Sequence, residues 1–154
     1  MNLCEHCIKG VTHEGTPKEY TRPSLDKVIN ALKAEGITTL GATGYCFGGR
    51  YVFDLAFENI IKVGVISHPS HLIVPDDLEK YVATSQAPLL INSCTTDLQF
   101  PLEACAKADK IFANFAPGYK REHFKGLTHG FAKRARSRQP LNGSFPSSEG
   151  VDLR

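Results

Sequence analysis

The sequence predicts an α/β fold of about four mostly parallel strands flanked by helices. Three observations predict it. Short aliphatic runs alternate along the chain with segments of helical period. A glycine-rich turn, Gly44-Tyr45-Cys46-Phe47-Gly48-Gly49, joins one such run to one such segment. The 154 residues contain no internal repeat, and that length suits one domain of roughly 100–200 residues. Strands separated by helices do not pair as hairpins, so they line up in parallel through crossovers.

The elements follow in order. Residues 1–23 carry Gly10, Gly15, Pro17 and Pro23 without a period and read as an N-terminal arm. From Ser24 to Glu35, Leu25, Val28, Ile29 and Leu32 share one helical face, with Ser24 as N-cap and Gly36 as stop. Thr38–Tyr45 is the first strand. Phe47–Glu58 is a helix with Tyr51, Val52, Leu55 and Ala56 inward. Val63–Ser67 is the second strand, Asp76–Thr84 a short helix and Leu89–Asn92 the third strand, after Pro88. Leu102–Phe115 is a helix with Pro101 near its start and Cys105, Ala108, Phe112 and Phe115 on its apolar stripe. Tyr119–Lys125 is a fourth, more polar strand. The domain therefore spans residues 24–133, and residues 134–154, rich in Ser, Gly, Pro and Arg, read as a mobile tail.

Composition narrows the function. Apolar residues make up 42% and charged ones 22% of the chain, which excludes collagen, a coiled coil and disorder as descriptions of the whole. No apolar run approaches the length of a membrane span, and no basic segment followed by an apolar stretch opens the chain. The net charge of +2 is local. From Lys133 onward five basic residues against two acidic ones leave +3, so residues 1–132 carry −1. A nearly neutral body does not indicate a nucleic-acid binder. Five cysteines is an odd count; free thiols in a reducing, cytoplasmic compartment are expected.

The glycine-rich turn carries the sharpest chemical signal. A tight strand–turn–helix with Gly–x–nucleophile–x–Gly is the nucleophile elbow, here with Cys46 in the place where Ser is commoner. Gly44 and Gly48 would admit the neighbouring backbone, the helix N-terminus would favour the thiolate, and the Phe47 N–H would face an oxyanion. A glycine-rich turn with an inert buried cysteine is the bland alternative. The remaining residues weigh against it, because the elbow's partners follow in the order nucleophile, acid, histidine. Asp97 follows the third strand and His129 the fourth, on the rim where open α/β sheets place ligands. Asp97 would hold the His129 imidazole, and His129 would take the thiol proton. Tyr45, beside the thiol, is a candidate substrate contact.

These residues together resemble the dienelactone hydrolase family, a cysteine-dependent branch of the α/β-hydrolase fold, and its fungal dienelactone hydrolase-like members in particular. The matching pieces are Gly44–Gly49, His68-Pro69-Ser70, Asp97, Thr128-His129-Gly130-Phe131, and an opening Cys4-x-x-Cys7 with His13-Glu14-Gly15-Thr16-Pro17. The resemblance implies Cys46 as nucleophile, Asp97 as acid and His129 as base. It implies hydrolysis of a small-molecule lactone or activated ester through a thioester, with no cofactor. A basic residue near His129 holds a substrate carboxylate in the family, which points to Arg134 or Lys133; a solvated basic patch running into Arg136 and Arg138 is the alternative.

The sequence also departs from the family. Several strands and helices that members carry before the helix at Ser24 are absent, and the resemblance stops after Arg134. The fold is thus expected to be a truncated α/β-hydrolase, internally deleted and altered at its C-terminus. One oxyanion donor, an acidic neighbour of the thiol and part of the substrate wall belong to the missing part, so impaired activity is expected. Thr38–Tyr45 would become an edge strand, open to pairing in a homodimer. Two other functions compete: a non-catalytic product that self-associates or binds partners through that edge, and a redox or zinc module on Cys4 and Cys7. Against the latter, Cys4-Glu5-His6-Cys7 has no second ligand pair and no βαβ context. His68 and His71 are expected to shape the rim, with no metal site, and Cys94 and Cys105 to fill the core.

Overall fold

The computed structural model describes residues 17–132, with side chains from Thr21 onward. Cys4, Cys7, Lys133 and Arg134, most of the expected arm and the whole expected tail lie outside the described residues.

Helices and strands alternate strictly: α1 (Pro17–Ala34), β1 (Gly41–Tyr45), α2 (Gly48–Phe57), β2 (Val63–Ser67), α3 (Asp76–Thr84), β3 (Leu89–Thr96), α4 (Leu102–Ile111) and β4 (Tyr119–Thr128). The strands are parallel in the order β1-β2-β3-β4, the expected architecture. A sheet that grows in one direction through right-handed crossovers carries its connecting helices on one face. Accordingly α2 packs against α3, and α3 against α4.

The core lies between that helix layer and the sheet. Ile66 and Ile91, partners in adjacent strands, share a core with Val52, Phe53, Leu78 and Tyr81 from the helices and Phe112 from the turn after the last helix. Gly64 lets α2 come close, since a Cβ there would stand 3.0 Å from Val52 Cγ1. Arg50 joins α2 to α3 by bonding both Asp54, at 2.7 Å, and Asp77, which also accepts the Ile73 N–H at 2.6 Å.

Helix α1 begins seven residues earlier than its apolar pattern indicates, so Ser24 lies inside it and caps nothing. Pro23 interrupts the helix's own hydrogen-bond ladder, which is why local signals end there. A tertiary contact outweighs the interruption: Arg22 grips Glu58 with both terminal nitrogens, at 2.6 and 2.7 Å, and bonds Asp26 through Nε at 2.7 Å. The buried stripe is also narrower than expected. Ile29 is buried, Leu25 and Leu32 are half-buried, and Val28 is 56% exposed. Gly36 does stop the helix, at φ +84°, with the Ile37 N–H on the Leu32 carbonyl and the Gly36 N–H on that of Lys33.

Strands β3 and β4 run four and three residues past their apolar patterns, and β1 starts three residues late. The extensions are held by polar side chains, which hydrophobic periodicity does not register. Ser93 Oγ donates to the Glu122 carbonyl at 3.1 Å, and Arg121 Nη1 donates to Ser93 Oγ at 3.0 Å. Helix α4 ends at Ile111, while Phe112 and Phe115 stay buried in the turn that follows.

Candidate active site

Every residue of the candidate site stands just past the C-terminal end of a strand. Cys46 follows β1, His68 and Ser70 follow β2, Asp97 follows β3 and His129 follows β4. Parallel pairing brings those ends to one rim.

The turn around Cys46 is strained. Its φ is +52°, in the left-handed region that a non-glycine residue occupies only when its surroundings impose it. Three backbone bonds impose it here: the Cys46 N–H donates to the Ser67 carbonyl, and the Cys46 carbonyl accepts the N–H groups of Gly49 and Ser70, each at 3.0 Å. Gly44 is sterically required, because a Cβ would lie 2.3 Å from the Gly48 carbonyl oxygen. Gly48, expected to share that role, has open space where its Cβ would be. The second tight glycine is Gly49, whose Cβ would meet Pro69 Cβ at 2.9 Å.

From this turn the Cys46 Sγ stands 3.1 Å from His129 Nε2 and 3.5 Å from Ser70 Oγ. On the far side of the imidazole, His129 Nδ1 donates to Asp97 Oδ1 at 2.8 Å. That oxygen also accepts the N–H groups of Gln99 and Phe100, at 2.8 and 3.0 Å. The carboxylate is therefore fixed before it meets the histidine, and its side chain is 1% exposed. His129 is fixed by its own N–H, which donates to the Thr96 carbonyl at 2.9 Å. Sulfur, imidazole and carboxylate, drawn from three strand ends, form one continuous line of contacts.

Electrostatics follow from these contacts. Burial alone would push the Cys46 thiol up. The hydrogen bonds from Ser70, His129 and the Phe47 N–H, with the charge of His129, outweigh it and hold the thiol below its ordinary value. Burial likewise disfavours imidazolium at His129, yet the bonds to Cys46 and Asp97 and the charge of both raise it above the usual imidazole range. Each group favours the charged form of the other. Cys94 and Cys105 behave oppositely: both are buried, and burial pushes each thiol up.

Ser70 is the site residue that sequence reasoning missed as a functional group. His-Pro-Ser after an apolar strand was a visible signal, because the next strand's end must abut the elbow in a parallel sheet. Tyr45 is half exposed at the rim, its ring 6.3 Å from that of His68. His71 is exposed, against Phe47 at 6.1 Å. A shallow groove lined by Val63, Pro88, Leu90 and Lys120 lies at the opposite ends of the strands.

Comparison with known proteins finds relatives of the chain by sequence and by fold. The profile described as "Dienelactone hydrolase family" matches residues 6–148, and so runs beyond Arg134, where the sequence resemblance is read as stopping. The chain is 32% identical over 117 residues to "Hydrolase pyvD" of Aspergillus violaceofuscus, covering 73% of this chain and 46% of that one. It is 32% identical over 124 residues to "Dienlactone hydrolase 1" of Gibberella moniliformis, covering 80% of this chain and again 46% of the relative. The chain thus spans about half the length of the curated relatives it matches. Among solved structures, one from Klebsiella pneumoniae, provisionally described as a dienelactone hydrolase, superposes with a TM-score of 0.58 at 20% identity, covering 70% of this chain and 48% of that one.

Proposed function

The chain belongs to the dienelactone hydrolase family, and from that premise we propose that it opens a lactone or small ester with Cys46 as nucleophile, His129 as general base and acid, and Asp97 as the group that orients the histidine. The observation that carries the reading is the uninterrupted line from Cys46 Sγ to His129 Nε2, 3.1 Å, and from His129 Nδ1 to Asp97 Oδ1, 2.8 Å.

The steps follow from the contacts. His129 holds the thiol proton, and the thiolate attacks the substrate carbonyl carbon. The oxygen that becomes anionic is met by the Phe47 N–H at the start of α2, a donor that faces the sulfur before attack and is released as the sulfur loses its charge. The tetrahedral centre collapses, the carbon–oxygen single bond breaks, and His129 protonates the departing alkoxide. A thioester on Cys46 remains; in a lactone substrate the alcohol stays attached to it as a tether. Water, deprotonated by His129, then attacks the thioester. The carboxylic acid leaves, and Cys46 recovers its proton from His129. Asp97 stays ionised throughout and fixes the tautomer of His129. Tyr45 at the rim, with Lys133 or Arg134 for a substrate carboxylate, completes the proposed contacts. A reducing, cytoplasmic setting suits the three free thiols among the described residues.

The test is hydrolysis of an activated ester such as p-nitrophenyl acetate by the purified chain and by Cys46→Ala. An acetyl adduct on Cys46, seen by mass spectrometry, and loss of turnover in the variant are expected. Equal turnover by both proteins overturns the reading. The chain alone should work about 10²–10³-fold below a full-length relative if the missing half supplies a second oxyanion donor.

A second reading has its own observation. Among the described residues β1 pairs on one side alone, with β2. Its other edge offers unpaired backbone groups to a second copy, and the chain would then act by association rather than turnover.

A further inference from the structure

The sequence assigns His68 and His71 to the rim and expects no metal. The structure separates the two histidines. His71 points to solvent, whereas His68 is fully buried, with its ring 4.9 Å from that of His129 and 5.1 Å from that of Phe131. A ring nitrogen of His68, a ring nitrogen of His129 and the Cys46 sulfur all lie within 4.8 Å of one another. We propose that Cys46, His68 and His129 form a three-ligand site for a soft divalent cation of the zinc class, with a fourth position open to water, and that such an ion reversibly blocks the thiol. The binding rests on this geometry alone; the block rests on the hydrolase reading.

Zinc takes sulfur at about 2.3 Å and imidazole nitrogen at about 2.0–2.1 Å in a tetrahedron, so its ligand atoms stand roughly 3.3–3.7 Å apart. The Cys46–His129 contact is already 3.1 Å. No pair in the group exceeds 4.8 Å, so movements of about an ångström close the shell. Thiolate with two imidazoles selects zinc or its soft neighbours over magnesium and calcium, which take oxygen.

The contacts around these three residues would also serve such an ion. The outer nitrogen of His129 donates to Asp97 at 2.8 Å, and that carboxylate is itself held by two backbone N–H groups. This is the carboxylate–histidine–metal arrangement that fixes a ligand's tautomer and raises its basicity. The ligands also come from three strand ends, and two sit at left-handed backbone positions, Cys46 at φ +52° and His68 at φ +39°. The His68 N–H is pinned to the Asn92 carbonyl at 2.8 Å. Strain of this kind persists where surrounding structure over-determines a residue's direction. When the ion binds, bonds from the metal to the Cys46 sulfur and the His129 nitrogen replace the one proton these two atoms share, and that proton leaves to buffer.

The experiment uses the full chain in a Cys4→Ser/Cys7→Ser background, so that uptake at the N-terminal pair does not intrude. Cobalt(II) is the optical probe, and zinc is measured against a chromophoric chelator. One ion per chain, a thiolate-to-cobalt charge-transfer band, and affinity lowered tenfold or more by His68→Gln and by Cys46→Ser are expected, each variant being checked as folded by circular dichroism. Ester hydrolysis should fall with zinc and return with chelator, and the ratio of the two rates should move toward one in His68→Gln. An absent band, or affinity indifferent to both substitutions, overturns the site. Hydrolysis that ignores zinc occupying the site overturns the block. If cobalt shows the band but no ester is cleaved in chelator, the metal site stands and the hydrolase reading fails.

Discussion

At the scale of single residues, Cys46 and His129 form a pair in which each stabilises the other's ionised state. Alkylation by iodoacetamide reports the thiolate directly. The intact chain should alkylate at Cys46 well below the pH at which an ordinary thiol reacts, with Cys94 and Cys105 silent. His129→Ala removes one hydrogen bond and one charge while burial remains, so the profile moves to higher pH and the rate at pH 7 falls by roughly tenfold, the worth of one charge-assisted bond. Asp97→Asn keeps the shape and an acceptor oxygen for the three N–H groups but removes the negative charge beside the imidazole. Turnover should drop by roughly 10²–10⁴-fold, and the alkylation profile of the folded protein should move to higher pH, less far than in His129→Ala. A profile unmoved by His129→Ala would mean that the 3.1 Å contact carries no electrostatic weight.

At the scale of elements, the elbow depends on one glycine more than on the others. Gly44→Ala forces a Cβ to within 2.3 Å of backbone oxygen and should cost about 3 kcal/mol, measured by urea unfolding. Gly48→Ala, with open space, should change stability by less than about 0.5 kcal/mol. The pattern Gly–x–Cys–x–Gly was legible from sequence, but it could not say which glycine is crowded, because that is set by Pro69 and by the first turn of α2. Helix α1 gives the complementary lesson. Its local signals end at Ser24, and its extension to Pro17 depends on Arg22 meeting Glu58, 36 positions away. The Arg22 bond holds the Glu58 carboxyl below the usual carboxylate range. A depressed carboxyl contributes stability above its ordinary value and loses it as pH falls through the folded-state value. Arg22→Ala should therefore speed amide exchange in the first turns of α1 near neutral pH, by up to about 1 kcal/mol for this largely solvated pair, and the difference should fade in acid.

At the scale of the whole molecule, the order of elements was legible because each helix separates two aliphatic runs, and that spacing forces parallel crossovers. The rim followed from it, since Cys46, Asp97 and His129 stand directly after strands. Two things were not legible. The polar ends of β3 and β4 carry no apolar alternation. The approach of His68 to the thiol depends on a left-handed backbone at position 68, which local sequence does not encode. Among the described residues the sheet has β1 at one end, and association through it should be visible by light scattering as a concentration-dependent mass. Thr43→Lys, which puts a charge on that exposed strand, should return the chain to monomer. A chain that stays monomeric at high concentration would remove the association reading.

Sulfur, hydroxyl, carboxylate and imidazole all arise within residues 46–129, on consecutive neighbouring strands. The proposed reactive groups consequently form one contiguous cassette. A chimera joining it to the leading half of a relative would have to match a single seam, the outer border of Gly41–Tyr45, and swapping that leading half would retune what is recognised, and the second oxyanion donor with it, while the proposed nucleophile, base and acid stay in place.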